Sequence, residues 1–349
     1  MKAKTGRVCV LIKKVGSNTT PVPAGSVATA AHLHQAAAGS NGPVVLTLET
    51  PVLTGKKYQQ SKTCVDGVSV SLVTALVSNP SHYSVDVHTA QNPGGAIRGQ
   101  LAGASSTPPP SSMAALGDSL TAGWDVCGAV MVCPAGSWAT GTTLASHYER
   151  ILAVNPAISG HALNLGVPGA PMSTLSGQAS AAVAQGVQYV TILMGGNDVC
   201  QSSEASMTPV ATFRSQFQTA MNTLRTGLPN AKILVASIPD LTRIWFIGKD
   251  NPAAQAGWAS FGCATVFGNP TSTAQADVDR RARVHQRIID LNTALAGVCA
   301  SSANCKWDGN ALFSHQWTPS EISTVDYLHP DLAGQSAMAA VTYAAGYGW

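Results

Sequence analysis

Ser119, Asp326 and His329 are residue types that together can carry out acyl transfer. A serine hydroxyl attacks poorly until a base takes its proton. His329 can take it if a carboxylate holds its other ring nitrogen, fixes the tautomer and stabilises the imidazolium. Asp326 stands three residues upstream in Asp326-Tyr327-Leu328-His329-Pro330, close enough on one turn to reach that nitrogen. The oxyanion formed by attack needs hydrogen-bond donors. The backbone N–H of Ser119 in Gly117-Asp118-Ser119-Leu120, the backbone N–H of Gly166 and the side-chain amide of Asn197 in Gly195-Gly196-Asn197-Asp198 can supply three. An amide donates without changing protonation, and glycine at 166 lets the backbone come close to a substrate. Losing one such donor typically costs about 3–4 kcal/mol of transition-state stabilisation.

These blocks need elements to position them. After residue 112, β and α signals alternate. Short apolar strands are expected at Met113–Leu116, Ala162–Leu165, Tyr189–Met194 and Ile233–Ser237. Between them lie helices. Thr208-Pro209 reads as an N-cap with proline at the first helical position, and the helix presents Phe213, Phe217, Met221 and Leu224 on one face. Ala274–Leu295 and Asp331–Ala345 read as two more. This alternation predicts a parallel sheet covered on both faces, with reactive residues at the carboxyl ends of its strands. Three of the four blocks directly follow a strand, and the fourth precedes the last helix. Each block alone is ordinary turn chemistry; the four in this order are not. Asp118 and Asp198 are expected to anchor loops through backbone N–H groups. His147, His161, His285 and His315 lack motif context and are expected in surface or core roles. Pro239–Pro270 carries Trp245, Phe246, Trp258, Phe261 and Phe267, which either line an acyl or aromatic groove or form a mini-core tied down by Cys263.

Composition excludes several function classes. The chain has 349 residues, 45% hydrophobic and only 11% charged, with a net charge of +3. That is enough apolar material for a core, and no Lys/Arg run makes a nucleic-acid or anionic-membrane patch; Lys13-Lys14 and Lys56-Lys57 are isolated pairs. No apolar run approaches the length a bilayer requires. The basic start (Lys2, Lys4, Arg7) with the short run Val8–Ile12 falls short of a signal peptide, so the true start is expected upstream. Eight cysteines without a C-x2-C pair argue for disulfides in an oxidising compartment over a metal centre. Cys127/Cys133 and Cys299/Cys305 bracket short loops, leaving Cys9–Cys64 and Cys200–Cys263. Each bridge would contribute about 2–4 kcal/mol, mainly by restricting the unfolded chain. A proline-rich break at Ala104–Ser112, ASSTPPPSS, marks a spacer between a domain at 1–103 and another at 113–349.

The four blocks resemble the SGNH (GDSL) hydrolase family over roughly Met113 to the C-terminus, as G-D-S-L, a glycine, G-G-N-D and D-x-x-H-P. The resemblance implies Ser119 as nucleophile, Asp326 and His329 completing the triad, and Ser119, Gly166 and Asn197 as the oxyanion hole. It implies a three-layer α/β/α, flavodoxin-like fold around a five-stranded parallel sheet. The cysteine pattern, with Cys200 soon after G-G-N-D, is similar to the secreted bacterial branch. Expected is a secreted esterase or lipase acting on small esters, lipids or acylated carbohydrates, without cofactor, metal or nucleic acid. An acyltransferase or carbohydrate-ester deacetylase on the same site is the alternative, and a non-catalytic adhesion or scaffold protein is a rival from another class.

Before the break the pattern is β, with runs at Arg7–Val15, Ser26–Leu33, Val44–Leu48, Val68–Val77 and Tyr83–Val87, read as a small antiparallel sandwich or barrel, with a short helix at Ser69–Val77 as the alternative. The series His32-Leu33-His34, Ala38–Val45, Tyr83–His88 and Pro93–Leu101 resembles the CHRD (chordin-type) domain over Arg7–Leu101, lacking a first strand or two upstream. His32 and His34 point the same way on a strand, and His88 can join them. A metal site is one reading, but structural histidines beside the Gly94–Arg98 turn are the expectation.

Overall fold

The computed structural model describes residues 5–15, 27–37, 39–54, 58–101, 108–260 and 262–349. Lys2, Lys4, Ser26, Lys56, Lys57, Phe261 and the first part of the spacer, 104–107, lie outside the described residues. The chain divides into two units, Met1–Ala104 and Ser105–Trp349.

The first unit holds strands β1 (Thr5–Val15), β2 (Ala28–Gln35), β3 (Val44–Leu48), β4 (Val52–Thr54), β5 (Tyr58–Ser69), β6 (Tyr83–Thr89) and β7 (Ile97–Gln100). They form two antiparallel sheets, β1-β5-β4 and β3-β2-β6-β7. Ala28, Ala31, Leu48 and Val87 pack with Val10, Ile12, Leu46 and Val85 to form its core. Because side chains alternate along a strand, the residues between these, His32 and His34, lie on the other face of β2. The run expected as a strand at Val68–Val77 is instead mostly a helix, α1 (Val70–Ser78). Its β-branched valines read as strand. Ser69 overrides them by accepting the N–H of Leu72 at 3.2 Å as an N-cap.

The second unit contains β8 (Met113–Gly117), α2 (Ser119–Ala122), α3 (His147–Leu152), β9 (Ala162–Asn164), α4 (Leu175–Ala184), β10 (Tyr189–Leu193), α5 (Gly196–Val199), α6 (Val210–Gly227), β11 (Lys232–Val235), α7 (Leu241–Gly248), α8 (Pro252–Ser260), α9 (Ala264–Phe267), α10 (Gln275–Ala300), β12 (Cys305–Trp307) and α11 (Leu332–Ala345). The sheet is five-stranded and parallel, in the order β12-β11-β10-β8-β9. Every residue of β8 and β10 is buried, as a parallel sheet covered on both faces requires. Val190, Ile192, Ile233 and Val235 join the apolar faces of α4, α6 and α10, where Phe213, Phe217, Met221 and Leu224 all lie. Tyr189 and Leu234 instead join Tyr148 and Ile151 of α3 and Tyr343 of α11. The result is three layers.

Several boundaries differ from the sequence expectation, among them the end of α10, which runs on to Ala300, and two with a visible cause. Helix α6 begins after Pro209, which is the N-cap, and Thr208 makes no cap; its N–H donates to the Asp198 carbonyl at 2.9 Å instead. Strand β11 stops at Val235, because Asp308 Oδ2 accepts both the N–H and the hydroxyl of Ser237, at 2.9 and 2.8 Å. Strand β12, only three residues long, has no readable alternation. The cysteines stand in four disulfide pairs: Cys9–Cys64 across β1 and β5, Cys127–Cys133, Cys200–Cys263, and Cys299–Cys305 between α10 and β12. Among the described residues no helix is long and apolar enough to cross a membrane.

His147 is a core residue joining three elements. Its Nε2 lies 2.9 Å from Thr342 Oγ1 and its Nδ1 2.9 Å from the Tyr189 hydroxyl. The Thr342 hydroxyl already donates to the Met338 carbonyl. The imidazole therefore donates from Nε2, accepts at Nδ1 and is neutral. Burial, reinforced by Arg150, pushes its pKa from 6.5 down to about 3. Below pH 6.5 the unfolded chain takes up a proton here that the folded chain refuses, so stability is complete above that pH and falls toward pH 3. The expected outcome is a urea midpoint that declines from pH 7 to pH 4. The decline should be shallower in His147→Gln, which keeps a donor and an acceptor but cannot charge. Equal slopes in the two proteins would refute this role.

Candidate active site

Strand β8 delivers Ser119. The strand ends at Gly117, whose N–H and carbonyl are both held by the Gln178 side chain, at 2.7 and 2.9 Å. Asp118 then starts α2 as its N-cap, accepting the Leu120 N–H at 3.0 Å. This puts Ser119 at a helix start, where first-turn N–H groups lack intrahelical partners. In the strand order β12-β11-β10-β8-β9, the connections leaving β8 and β10 run to opposite sides, which is where ligands bind in open α/β sheets. Asn197 sits just after β10, beside this point. Gly195 before it has φ 132°, and a Cβ there would lie 2.4 Å from Ile238 Cδ1. Only glycine makes this turn without strain.

The loop before α11 delivers the imidazole. Asp326 Oδ1 accepts the N–H of Leu328 at 2.8 Å and of His329 at 2.9 Å, folding the loop around its own carboxylate. The Tyr327 carbonyl accepts Trp258 Nε1–H at 2.9 Å, and the Ser323 N–H donates to the His329 carbonyl at 2.8 Å. Tyr327 itself is held at φ 58°, in the left-handed region that side chains disfavour. So braced, His329 Nδ1 hydrogen-bonds Asp326 Oδ2, and His329 Nε2 stands 2.8 Å from Ser119 Oγ.

Three carboxyl groups surround this imidazole. Burial pushes Asp326 up, but its hydrogen bond to His329 and that residue's charge outweigh it, leaving the group below its ordinary value. Asp125, at φ 63°, is 1% exposed. One oxygen each from Asp125 and Asp326 and a ring nitrogen of His329 lie within 4.8 Å of one another. Burial first, then Asp326, raise Asp125 to about 7. Burial and the neighbouring carboxylate thus favour the protonated form of Asp125. Both ring nitrogens of His329 are engaged, Nδ1 by Asp326 and Nε2 by Ser119. Asp118, fully buried, is raised to about 6.

The expected oxyanion donors are placed unequally. Asn197 lies in the same cleft as Ser119 and His329, its amide 3.2 Å from the Ala170 carbonyl and 3.4 Å from Asp118 Oδ2. The Gly166 N–H instead donates to Asn164 Oδ1 at 3.0 Å. A Cβ at 166 would lie 2.6 Å from the Ala122 nitrogen, so what this glycine visibly supplies is close packing on α2. Asp198 anchors a loop, accepting the Met172 N–H at 2.9 Å. The cleft is small, about 50 Å³, and Leu120, Pro239, Leu241, Ile244, Trp317 and Leu328 line it. Three aromatics of Pro239–Pro270 turn elsewhere: Trp258 stacks on Phe267 at 4.5 Å, while Trp245 donates to the Pro270 carbonyl. The segment thus gives the cleft its aliphatics and keeps those aromatics for a local core. Asp125 and Trp124, whose ring centroid is 6.4 Å from that of His329, are site residues that sequence reasoning misses. Trp124-Asp125 reads as a turn after a glycine, and the only signal is proximity to Ser119.

The CHRD domain model matches residues 3–101. No curated protein matches the chain. Among solved structures it is similar to phospholipase A1 from Streptomyces albidoflavus (18% identity, covering 67% of this chain and 99% of that one, TM-score 0.43). It is similar also to an acetyl xylan esterase from Geobacillus stearothermophilus (16%, 67% and 93%, 0.41) and an extracellular lipase from Streptomyces rimosus (18%, 67% and 99%, 0.39). The GDSL-like lipase/acylhydrolase model matches residues 115–337, more than half of the chain, and the protein therefore belongs to that family of carboxylic ester hydrolases.

Proposed function

We propose that the protein is a secreted serine esterase or lipase that works through an acyl-serine intermediate, with Ser119 as nucleophile, His329 as base and Asp326 as its orienting carboxylate. The observation that carries this reading is His329 Nε2 at 2.8 Å from Ser119 Oγ with Asp326 on the opposite nitrogen. The ester carbonyl is attacked by Oγ as its proton passes to Nε2. The tetrahedral intermediate collapses, the alcohol leaves with that proton, and water repeats the sequence to free the acid. The Ser119 N–H stabilises the oxyanion, joined by the Asn197 amide, shared with Ala170 and Asp118, and by the Gly166 N–H, shared with Asn164. The apolar lining of the cleft suits the acyl group. The four cysteine pairs support an oxidising compartment.

Ser119→Ala is expected to abolish hydrolysis of a short-chain aryl ester while the far-ultraviolet circular dichroism stays native. Residual turnover in a clean preparation would reject the mechanism. Asn197→Ala should lower kcat by about 10²–10³-fold with a much smaller change in KM; equal loss in both would remove it from the oxyanion hole.

In its protonated form Asp125, within 4.8 Å of an Asp326 oxygen, is a hydrogen-bond donor that we propose positions Asp326. An ionisation near pH 7 should appear in the kcat/KM profile and vanish in Asp125→Asn, which still donates a hydrogen bond and keeps most of the activity. Asp125→Ala loses the donor and should be slower. If the asparagine and alanine variants behave alike, the donated hydrogen bond has no role.

A further inference from the structure

The outer face of the β3-β2-β6-β7 sheet carries a second cluster of chemistry. His32 pairs with Asp86 across β2 and β6, with Ala30 opposite His88 and His34 opposite Ser84. His32, His34 and His88 therefore share the polar face, and one ring nitrogen from each lies within 4.8 Å of the others.

Their tautomers are legible from their partners. His34 Nδ1 stands 2.8 Å from the Gly42 carbonyl and His88 Nδ1 2.9 Å from the Pro93 carbonyl. A carbonyl only accepts, so both rings carry their proton on Nδ1 and present an Nε2 lone pair. Ligating histidines are oriented in this way, by the other ring N–H donating to a backbone carbonyl. Gly42 is required for that approach, since a Cβ there would lie 1.9 Å from the Gln35 carbonyl oxygen. The buried Nε2 of His34 has no hydrogen-bond partner among the described residues; Asp86 Oδ2 stands 4.0 Å away, taken up by Arg98 at 2.7 Å. His32 Nδ1 lies 3.0 Å from His88 Nε2. Ligand nitrogens at about 2.0–2.1 Å from a tetrahedral ion stand roughly 3.3 Å apart, so this pair is already near ligating separation.

We propose that His32, His34 and His88 form a binding site for one divalent ion of the zinc–copper class, with the fourth position open to solvent or an exogenous ligand. Coordination by His34 Nε2, His88 Nε2 and His32 Nδ1 moves the His32 proton from Nδ1 to Nε2, with no net release. Three neutral imidazoles suit such ions better than magnesium or calcium, which take oxygen ligands. The ion would tie β2 and β6 to the loops bearing Gly42 and Pro93. This site is independent of the hydrolytic one.

The test uses the full chain, stripped with chelator and titrated with zinc chloride at neutral pH by calorimetry. One saturable equivalent is expected, at least about tenfold weaker in His34→Ala and in His88→Ala. Absence of saturable binding, or equal binding by the variants, overturns the proposal. X-ray absorption at the zinc edge of the unaltered chain keeps the test independent of variant folding. Imidazole scattering is expected there, and a shell of oxygen ligands alone overturns the site. Ester hydrolysis should persist at one equivalent of zinc, whereas its loss would put the ion on His329 and refute the assignment.

Discussion

The hydrogen bond between His329 Nε2 and Ser119 Oγ joins residues 210 positions apart, and most of the second unit's architecture serves to hold its two ends still. Ser119 is fixed by a buried strand that stops abruptly against Gln178. His329 has no strand to hold it. Its loop is instead wrapped around Asp326, pinned by Trp258 and passed through a left-handed tyrosine. The strain at Tyr327 is offset by several hydrogen bonds that fit only this conformation. A site assembled this way keeps its geometry without a ligand present.

Electrostatics in the same place is governed by protons more than by cations. Asp118, Asp125 and Asp326 are all buried near one imidazole. Charging all three would place repelling anions in a poorly solvated pocket. Two are raised by burial, and one is held ionised by the imidazole it orients. Asp326 itself is oriented by the ring N–H of His329 and by the backbone N–H groups of Leu328 and His329.

The first unit shows the same logic on a sheet. Its apolar alternates make a small core, and the opposite face is polar and tightly bonded. Arg98 holds Asp86, whose carboxylate stays below its ordinary range although burial opposes it. Around that ion pair three imidazoles are set by backbone carbonyls of the flanking loops and by one another.

Much of this is written in neighbouring residues. The glycine blocks at strand ends, the Asp326–His329 spacing, the face of α6 and the histidine alternation on β2 follow from local periodicity and turn chemistry, which need only a few adjacent positions. Other features were not legible. Strand β12 is too short for its alternation to read as a strand, and Asn164 takes the Gly166 N–H. Asp125 reads as a turn residue until Asp326 is beside it. The pairing of His32 with His88, the raised pKa of Asp125 and the meeting of residues 119 and 329 belong to the tertiary structure alone. Burial and the approach of distant side chains set which group holds a proton, and neither quantity exists in a chain that has not yet folded.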